Sequence, residues 1–204
     1  VSELAAGEQL FEEMELGGIV NFIAFRQAVA GYNRIKEKSK PILTLIDFSK
    51  PSTEKRFFVF DMEKKQLLFS SVVSHGRNSG GNYATSFSNQ NGSYKSSLGF
   101  YLTENTYQGG NGYSLILNGL EKGINDKAKE RSIVVHGASY ANPTVAASGR
   151  LGRSLGCPAL PTKLAKPIIN TIKDGSVMFI YANNSSYLAQ SDILKNVSVP
   201  MPAL

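Results

Sequence analysis

The sequence predicts a mainly β, sandwich-like domain, with two helices ahead of it and one more helix following its last long loop. Two observations predict this. From residue 41 onward, short apolar and β-branched runs alternate with polar turns, the signature of strands. The first 40 residues instead carry apolar side chains at helical spacing. With 204 residues the chain can bury a sizeable core as one unit. No apolar run approaches the roughly 20 residues of a membrane-spanning helix.

Residues 3–16 read as a short helix capped by Ser2, with Leu4, Leu10, Phe11 and Met14 near one face. Gly17 and Gly18 break it. Asn21 caps a second helix reaching about Lys38, with Phe22, Phe25, Ala28, Val29, Tyr32 and Ile35 as its buried stripe. Residues 1–40 are thus expected to form a helical brace packed on a domain of residues 41–204. Residues 42–48, 56–62 and 66–74 read as three strands, separated by turns at 50–54 and 63–65. Residues 77–97 are rich in Gly, Asn and Ser. A loop of that length is often functional, and the aromatics within it suggest that it packs on the domain. Residues 112–118 and 131–135 read as further strands, with one helical turn between them at 125–130. Residues 161–173 read as a helix ended by Gly175, despite Pro167, which removes one backbone donor. Residues 176–182 are a final core strand, followed by a polar tail expected to lie over the surface.

The chemistry concentrates in residues 131–161, RSIVVHGASYANPTVAASGRLGRSLGCPALP. This stretch holds the only cysteine, Cys157, and one of two histidines, His136. A lone cysteine is often core filling. Here it lies in a polar, glycine-rich loop, and Gly156 before it lets backbone N–H groups approach a ligand closely. Such a turn could offer two N–H groups to a developing oxyanion. A thiol with a neighbouring imidazole is the minimum of an activated nucleophile, because the imidazole can take the proton and stabilise the thiolate. Cys157 is the candidate nucleophile and His136 its base and later acid.

The order His136-Gly137, a loop, then Ser154-Leu155-Gly156-Cys157 resembles the signature of the L,D-transpeptidase (YkuD-type) catalytic domain. The wording GRLGRSLGCPALP is similar to the murein L,D-transpeptidase catalytic domain branch. The segment Ser96-Ser97-Leu98-Gly99-Phe100-Tyr101 loosely resembles the family's T-P-x-G-x-F/Y entry into a strand. The resemblance covers roughly residues 40–182. It implies a sandwich-like fold and acyl transfer from a peptidoglycan stem tetrapeptide through a cysteine thioester. It also implies a bacterial cell-envelope, periplasmic location and no cofactor or metal. The catalytic set it implies is Cys157, His136, Gly156 and Ser154, with His136 oriented by a backbone carbonyl near the cysteine. The expected substrate-binding side chains are His75, Arg150, Arg153, Tyr83, Ser97 and Tyr140.

Two positions depart from the family pattern. Leu155 stands where the family has a histidine, and Ala159 where it often has an arginine. Arg150 or Arg153 could restore the charge. His75 is either a replacement imidazole or a hydrogen-bonded structural histidine. With water as acceptor the same chemistry makes an L,D-carboxypeptidase, and a wall-binding module without activity is the rival from another class. Zinc chemistry would need a further ligand beside His75, His136 and Cys157, and no close-spaced ligand pair exists. A papain-like protease would have its Cys before its His. The basic excess, 22 Lys and Arg against 16 acids, is dispersed and carries no nucleic-acid motif, so stem peptides with free carboxylates are the expected partner. The chain opens Val-Ser-Glu with no basic or apolar leader, consistent with a processed or trimmed chain whose compartment its start does not reveal.

Overall fold

The computed structural model describes residues 2–197. Helices α1 (Glu3–Glu13) and α2 (Phe22–Arg34) come first. Ser2 caps α1 by accepting from the Ala5 N–H, and the Asn21 carboxamide caps α2 by accepting from Ile23 and Ala24. Strands β1 (Ile42–Asp47), β2 (Phe57–Asp61) and β3 (Gln66–Ser71) follow. After the 77–97 loop come β4 (Gly99–Gly109), β5 (Gly112–Gly119) and β6 (Val134–Gly137). Two short 3-10 turns span Ser139–Ala141 and Pro143–Ser148. Then come β7 (Ala159–Leu160), α3 (Thr162–Ile172), β8 (Val177–Tyr181) and α4 (Ser185–Gln190).

All eight strands form one sheet in the order β3-β2-β1-β8-β4-β5-β6-β7. Pairing is antiparallel except between β1 and β8 and between β6 and β7. The mainly β, sandwich-like expectation stands. Its two layers are halves of one continuous sheet, curled until its edges touch. Beyond β3 the chain runs on to Ser74, which forms an antiparallel bridge with Ala159 of β7 and donates its N–H to the Ala159 carbonyl at 2.9 Å.

The central strands β1 and β8 are buried at every position, which fits their largely apolar sequences, with Thr44 and Asp47 as the polar exceptions in β1. Helix α2 covers β1 and β8, with Phe25 meeting Phe60 edge-on at 5.1 Å between ring centroids. Helix α3 packs on β6, β5 and β1 and presents Ile168, Ile169 and Ile172. Helix α2 stops at Arg34, short of the expected Lys38. Ile35 turns extended and buried, and Arg34 reaches away to Glu3 and to the carbonyls of Ile193 and Lys195.

Three elements differ from the sequence expectation. Residues 125–130 form turns and no helix. β7 was not expected, being two residues between Pro158 and Pro161. The start of the polar tail folds into α4, whose Tyr187 is buried and donates its hydroxyl to the Glu121 carboxylate at 2.8 Å. Burial pushes the Glu121 carboxyl up. The Val-Pro-Met-Pro ending lies outside the described residues.

At Gly31 the back of α2 lies on the Phe100 ring, which itself stacks on Phe179 at 4.2 Å between centroids. A methyl at Gly31 would overlap that ring. Alanine would gain about 1 kcal/mol of helix propensity, while overpacking a filled core costs about 1–3 kcal/mol. We expect Gly31→Ala to be destabilised overall, seen as a lower urea midpoint at unchanged slope.

Candidate active site

Cys157 sits where the curled sheet closes. Residue pairing in β6 and β7 is parallel, with His136 opposite Ala159. Continuing that register puts Val134 opposite Cys157. Pro158 has no N–H to give, so the ladder cannot extend back beyond Ala159. The Val134 N–H, left without a carbonyl partner, donates to Cys157 Sγ at 3.4 Å. The thiol in turn donates to the Ser132 carbonyl at 3.6 Å. Burial pushes the Cys157 thiol up, opposed by the Val134 N–H and by the charge of Arg131. The sulfur's hydrogen-bond partners are thus backbone groups of residues 132 and 134.

On β6, His136 lies two residues beyond Val134, whose N–H meets the sulfur. Its Nδ1 lies 2.9 Å from the Gly137 carbonyl and must donate to it. In the neutral ring this leaves Nε2 as the acceptor. The orienting carbonyl thus belongs to the residue after the histidine, not to the cysteine turn.

The turn itself is built by glycine and serine. Gly156 adopts φ +125°, a conformation side chains resist, and a Cβ there would meet Ile133 Cδ1 at 2.8 Å and the Lys95 carbonyl at 2.9 Å. Ser154 Oγ donates to the Cys157 carbonyl at 2.6 Å and accepts from the Gly156 N–H at 3.1 Å. Of the two N–H groups expected for an oxyanion, that of Gly156 is thus occupied. The Cys157 N–H carries no hydrogen bond among the described residues.

His75 is only 1% exposed. Its Nε2 donates to the Gly80 carbonyl at 3.1 Å, and its Nδ1 accepts from Arg56 Nη2 at 2.8 Å. Both ring nitrogens are used and the ring is neutral, which leaves nothing to offer a substrate. Its backbone matters more: the His75 carbonyl accepts the Ser154 N–H at 2.9 Å, and the Ser154 carbonyl accepts the Arg77 N–H at 2.8 Å.

The remaining expected side chains divide. Tyr140 is half-buried, packs on Gly152 and is pushed up to about 12, first by burial and then by Cys157 nearby. Ser97 is buried, donates to the Ser88 carbonyl and accepts from Arg131. Arg150 bonds the adjacent Leu151 carbonyl, while the exposed Arg153 reaches the Arg77 and Gly80 carbonyls. Neither arginine touches the cysteine turn by hydrogen bond. Tyr83 is exposed in the long loop. Leu155, in the place of the family's histidine, is 56% exposed, whereas Ala159 is fully buried at the closing bridge. Arg131 and Arg56 are the residues that sequence reasoning missed. The signal for each was a cation opening an apolar strand, in RSIVV and RFFVF.

A groove of about 480 Å³, lined by Tyr107, Ile116, Lys129 and residues 132–134, includes the two residues whose backbone holds the thiol. A larger cavity of about 760 Å³ lies far from this chemistry, between the N-terminal helices and residues 188–197. Among the described residues no cluster of three metal-ligating side chains occurs.

A family profile described as the L,D-transpeptidase catalytic domain matches residues 18–181. The chain belongs to that family. The matched segment takes in α2 as well as the sheet. Among solved structures, the chain is similar to an L,D-transpeptidase from Mycobacterium smegmatis, at 13% identity and a TM-score of 0.42, covering 70% of this chain and 59% of that one. It is also similar to L,D-transpeptidase 3 from Mycobacterium tuberculosis, at 14% identity and a TM-score of 0.45, covering 70% and 61%. A third, an L,D-transpeptidase from Stackebrandtia nassauensis, shares 14% identity at a TM-score of 0.41, covering 90% and 79%. The chain thus spans about three fifths of the length of the mycobacterial proteins. No curated protein matches it.

Burial and the adjacent Arg56 cation pull His75 down to about 4. An unfolded histidine, titrating near 6.5, takes up a proton that the folded one refuses until near pH 4. Stability should therefore fall as pH drops from about 6.5 to about 4, by on the order of 3 kcal/mol in all. Urea titrations of wild type and His75→Asn across this range should show that part of the slope only in the wild type.

Proposed function

We propose that the chain is a cysteine acyltransferase that acts on peptidoglycan stem peptides as an L,D-transpeptidase. The observation that carries this is that Cys157 stands two residues before β7, which pairs in parallel with the strand of His136, with the imidazole held at Nδ1 by the Gly137 carbonyl so that Nε2 is the acceptor.

In this proposal the acyl donor is a stem tetrapeptide lying along the groove beside residues 132–134. Cys157 Sγ attacks the carbonyl of the third residue, a diamino acid, on the side of its L-centre. The thiol swings away from the Ser132 carbonyl and passes its proton to His136 Nε2 as the C–S bond forms, so no thiolate need accumulate beforehand. The Cys157 N–H, without a partner in the resting site, donates to the tetrahedral oxyanion, a contribution typically worth roughly 3 kcal/mol. His136 returns the proton to the departing D-alanine amine and leaves a thioester. The side-chain amine of a second stem peptide then takes the acyl group. Ser154 holds the turn so that the Cys157 N–H keeps its aim. Residues 1–40 serve as a brace on this domain, and the protein works in the bacterial cell envelope.

Intact-protein mass spectrometry with a carbapenem, followed by D-alanine release from a stem tetrapeptide, tests the proposal. Wild type should form a stoichiometric adduct that Cys157→Ser lacks. His136→Ala should slow acylation by about 10²–10⁴-fold, the usual worth of a positioned base. A cross-linked product with an added amine means transpeptidation, and a free tripeptide alone means that water is the acceptor. Turnover by Cys157→Ser at the wild-type rate, or no adduct and no D-alanine release from wild type, would overturn the proposal.

A further inference from the structure

Arg131 lies between the turns after β5 and the start of β6, and its side chain is half-buried. Its guanidinium donates four hydrogen bonds, all into one stretch of the long loop. Nη1 donates to the Ser88 carbonyl at 2.9 Å and to Ser97 Oγ at 2.8 Å. Nη2 donates to Ser93 Oγ at 3.1 Å and to the Lys95 carbonyl at 2.8 Å. The same Nη2 is 3.5 Å from the point where a Cβ on Gly156 would sit, and the Lys95 carbonyl is 2.9 Å from that point. The cation, the 88–97 segment and the cysteine turn therefore meet at one place.

All four partners are neutral oxygens, and no carboxylate pairs with Arg131 among the described residues. Its charge is left to act on whatever negative charge forms nearby. The family's frequent arginine two residues after the cysteine is absent here, since Ala159 is sealed in the closing bridge. Arg150 and Arg153 spend their hydrogen bonds elsewhere. We infer that Arg131 is the positioning residue of this site: it clamps residues 88–97 over the Gly156–Cys157 turn and supplies the positive charge that favours anionic sulfur at Cys157. Burial pushes the Cys157 thiol up and the Arg131 guanidinium down, and their mutual attraction opposes both. The inference rests on Cys157 being the reactive thiol, but not on any particular acyl donor or acceptor.

The test measures thiol alkylation across pH, with neutral iodoacetamide and anionic iodoacetate side by side. A cation beside the sulfur favours the anionic reagent, so wild type should show an iodoacetate-to-iodoacetamide rate ratio well above that of an unstructured cysteine peptide. Arg131→Met, checked for an intact fold by circular dichroism, should react about tenfold more slowly with iodoacetamide at pH 7, as the midpoint rises by about one pH unit. Its reagent ratio should fall to that of the peptide. Arg131→Lys, which keeps charge but not the four-bond clamp, should restore most of the ratio. An Arg131→Met protein with the wild-type profile, or a wild-type ratio no higher than the peptide's, would overturn the inference; the second outcome needs no variant to fold. Arg131-dependent alkylation supports the inference even if stem-peptide turnover is never seen. Normal carbapenem acylation with Arg131-independent alkylation would remove it and leave the acyltransferase proposal standing.

Discussion

The buried guanidinium of Arg56 is the constraint on which the site depends. It is fully enclosed, and burial lowers it to about 9 while Asp47 pulls the other way, so it stays cationic at neutral pH. An unpaired charge in such a place would be very costly. The cost is offset by hydrogen bonds to the Val73 carbonyl from Nε and Nη2, to the Lys50 carbonyl from Nη1 and to His75 Nδ1, and by the Phe48 ring 4.8 Å from the cation. The bonds to Val73 and His75 fix the chain leaving β3. That chain then fixes the cysteine turn: the His75 carbonyl holds Ser154, and Ser154 holds Gly156 and Cys157.

Two strand-end His-Gly pairs perform different work in this frame. At His75-Gly76 the imidazole is consumed as a structural acceptor and donor, and Gly76 permits a close approach: a Cβ there would lie 3.1 Å from the Gly156 Cα. At His136-Gly137 the ring keeps one nitrogen free, and the glycine carbonyl sets which one. The difference lies in the neighbours. Arg56 faces the first ring with a donor that only an acceptor nitrogen can satisfy, whereas a carbonyl faces the second.

Much of this was legible in the residues. The strands of residues 42–74, the terminal strand and the helix after the cysteine follow from apolar periodicity, and Ser154, Gly156 and Cys157 announce a tight polar turn. Less local features were hidden. β7 escaped notice because two residues between prolines carry no period. α4 did so because SSYLAQ is short and polar and depends on Glu121, 66 residues from Tyr187 in sequence. Arg131 read as the opening of a strand. Its role depends on the 88–97 segment returning to it, which no spacing announces. The two fates of His75 could not be separated without knowing that Arg56 points inward.

The Cys157 turn is stitched to the seam of the curled sheet. On one side of that seam is a two-residue strand, and on the other two isolated bridges, Ser74 to Ala159 and Gly76 to Ser154. Elsewhere the sheet is held by strands with several paired residues in register. A barrel closed this way has a zip with very few teeth. Brief local openings, which begin where hydrogen bonds are fewest, would part the sheet at this line and separate Cys157 from His136 while the aromatic interior stays shut. Loss of the geometry at this line and loss of the fold are then distinct events.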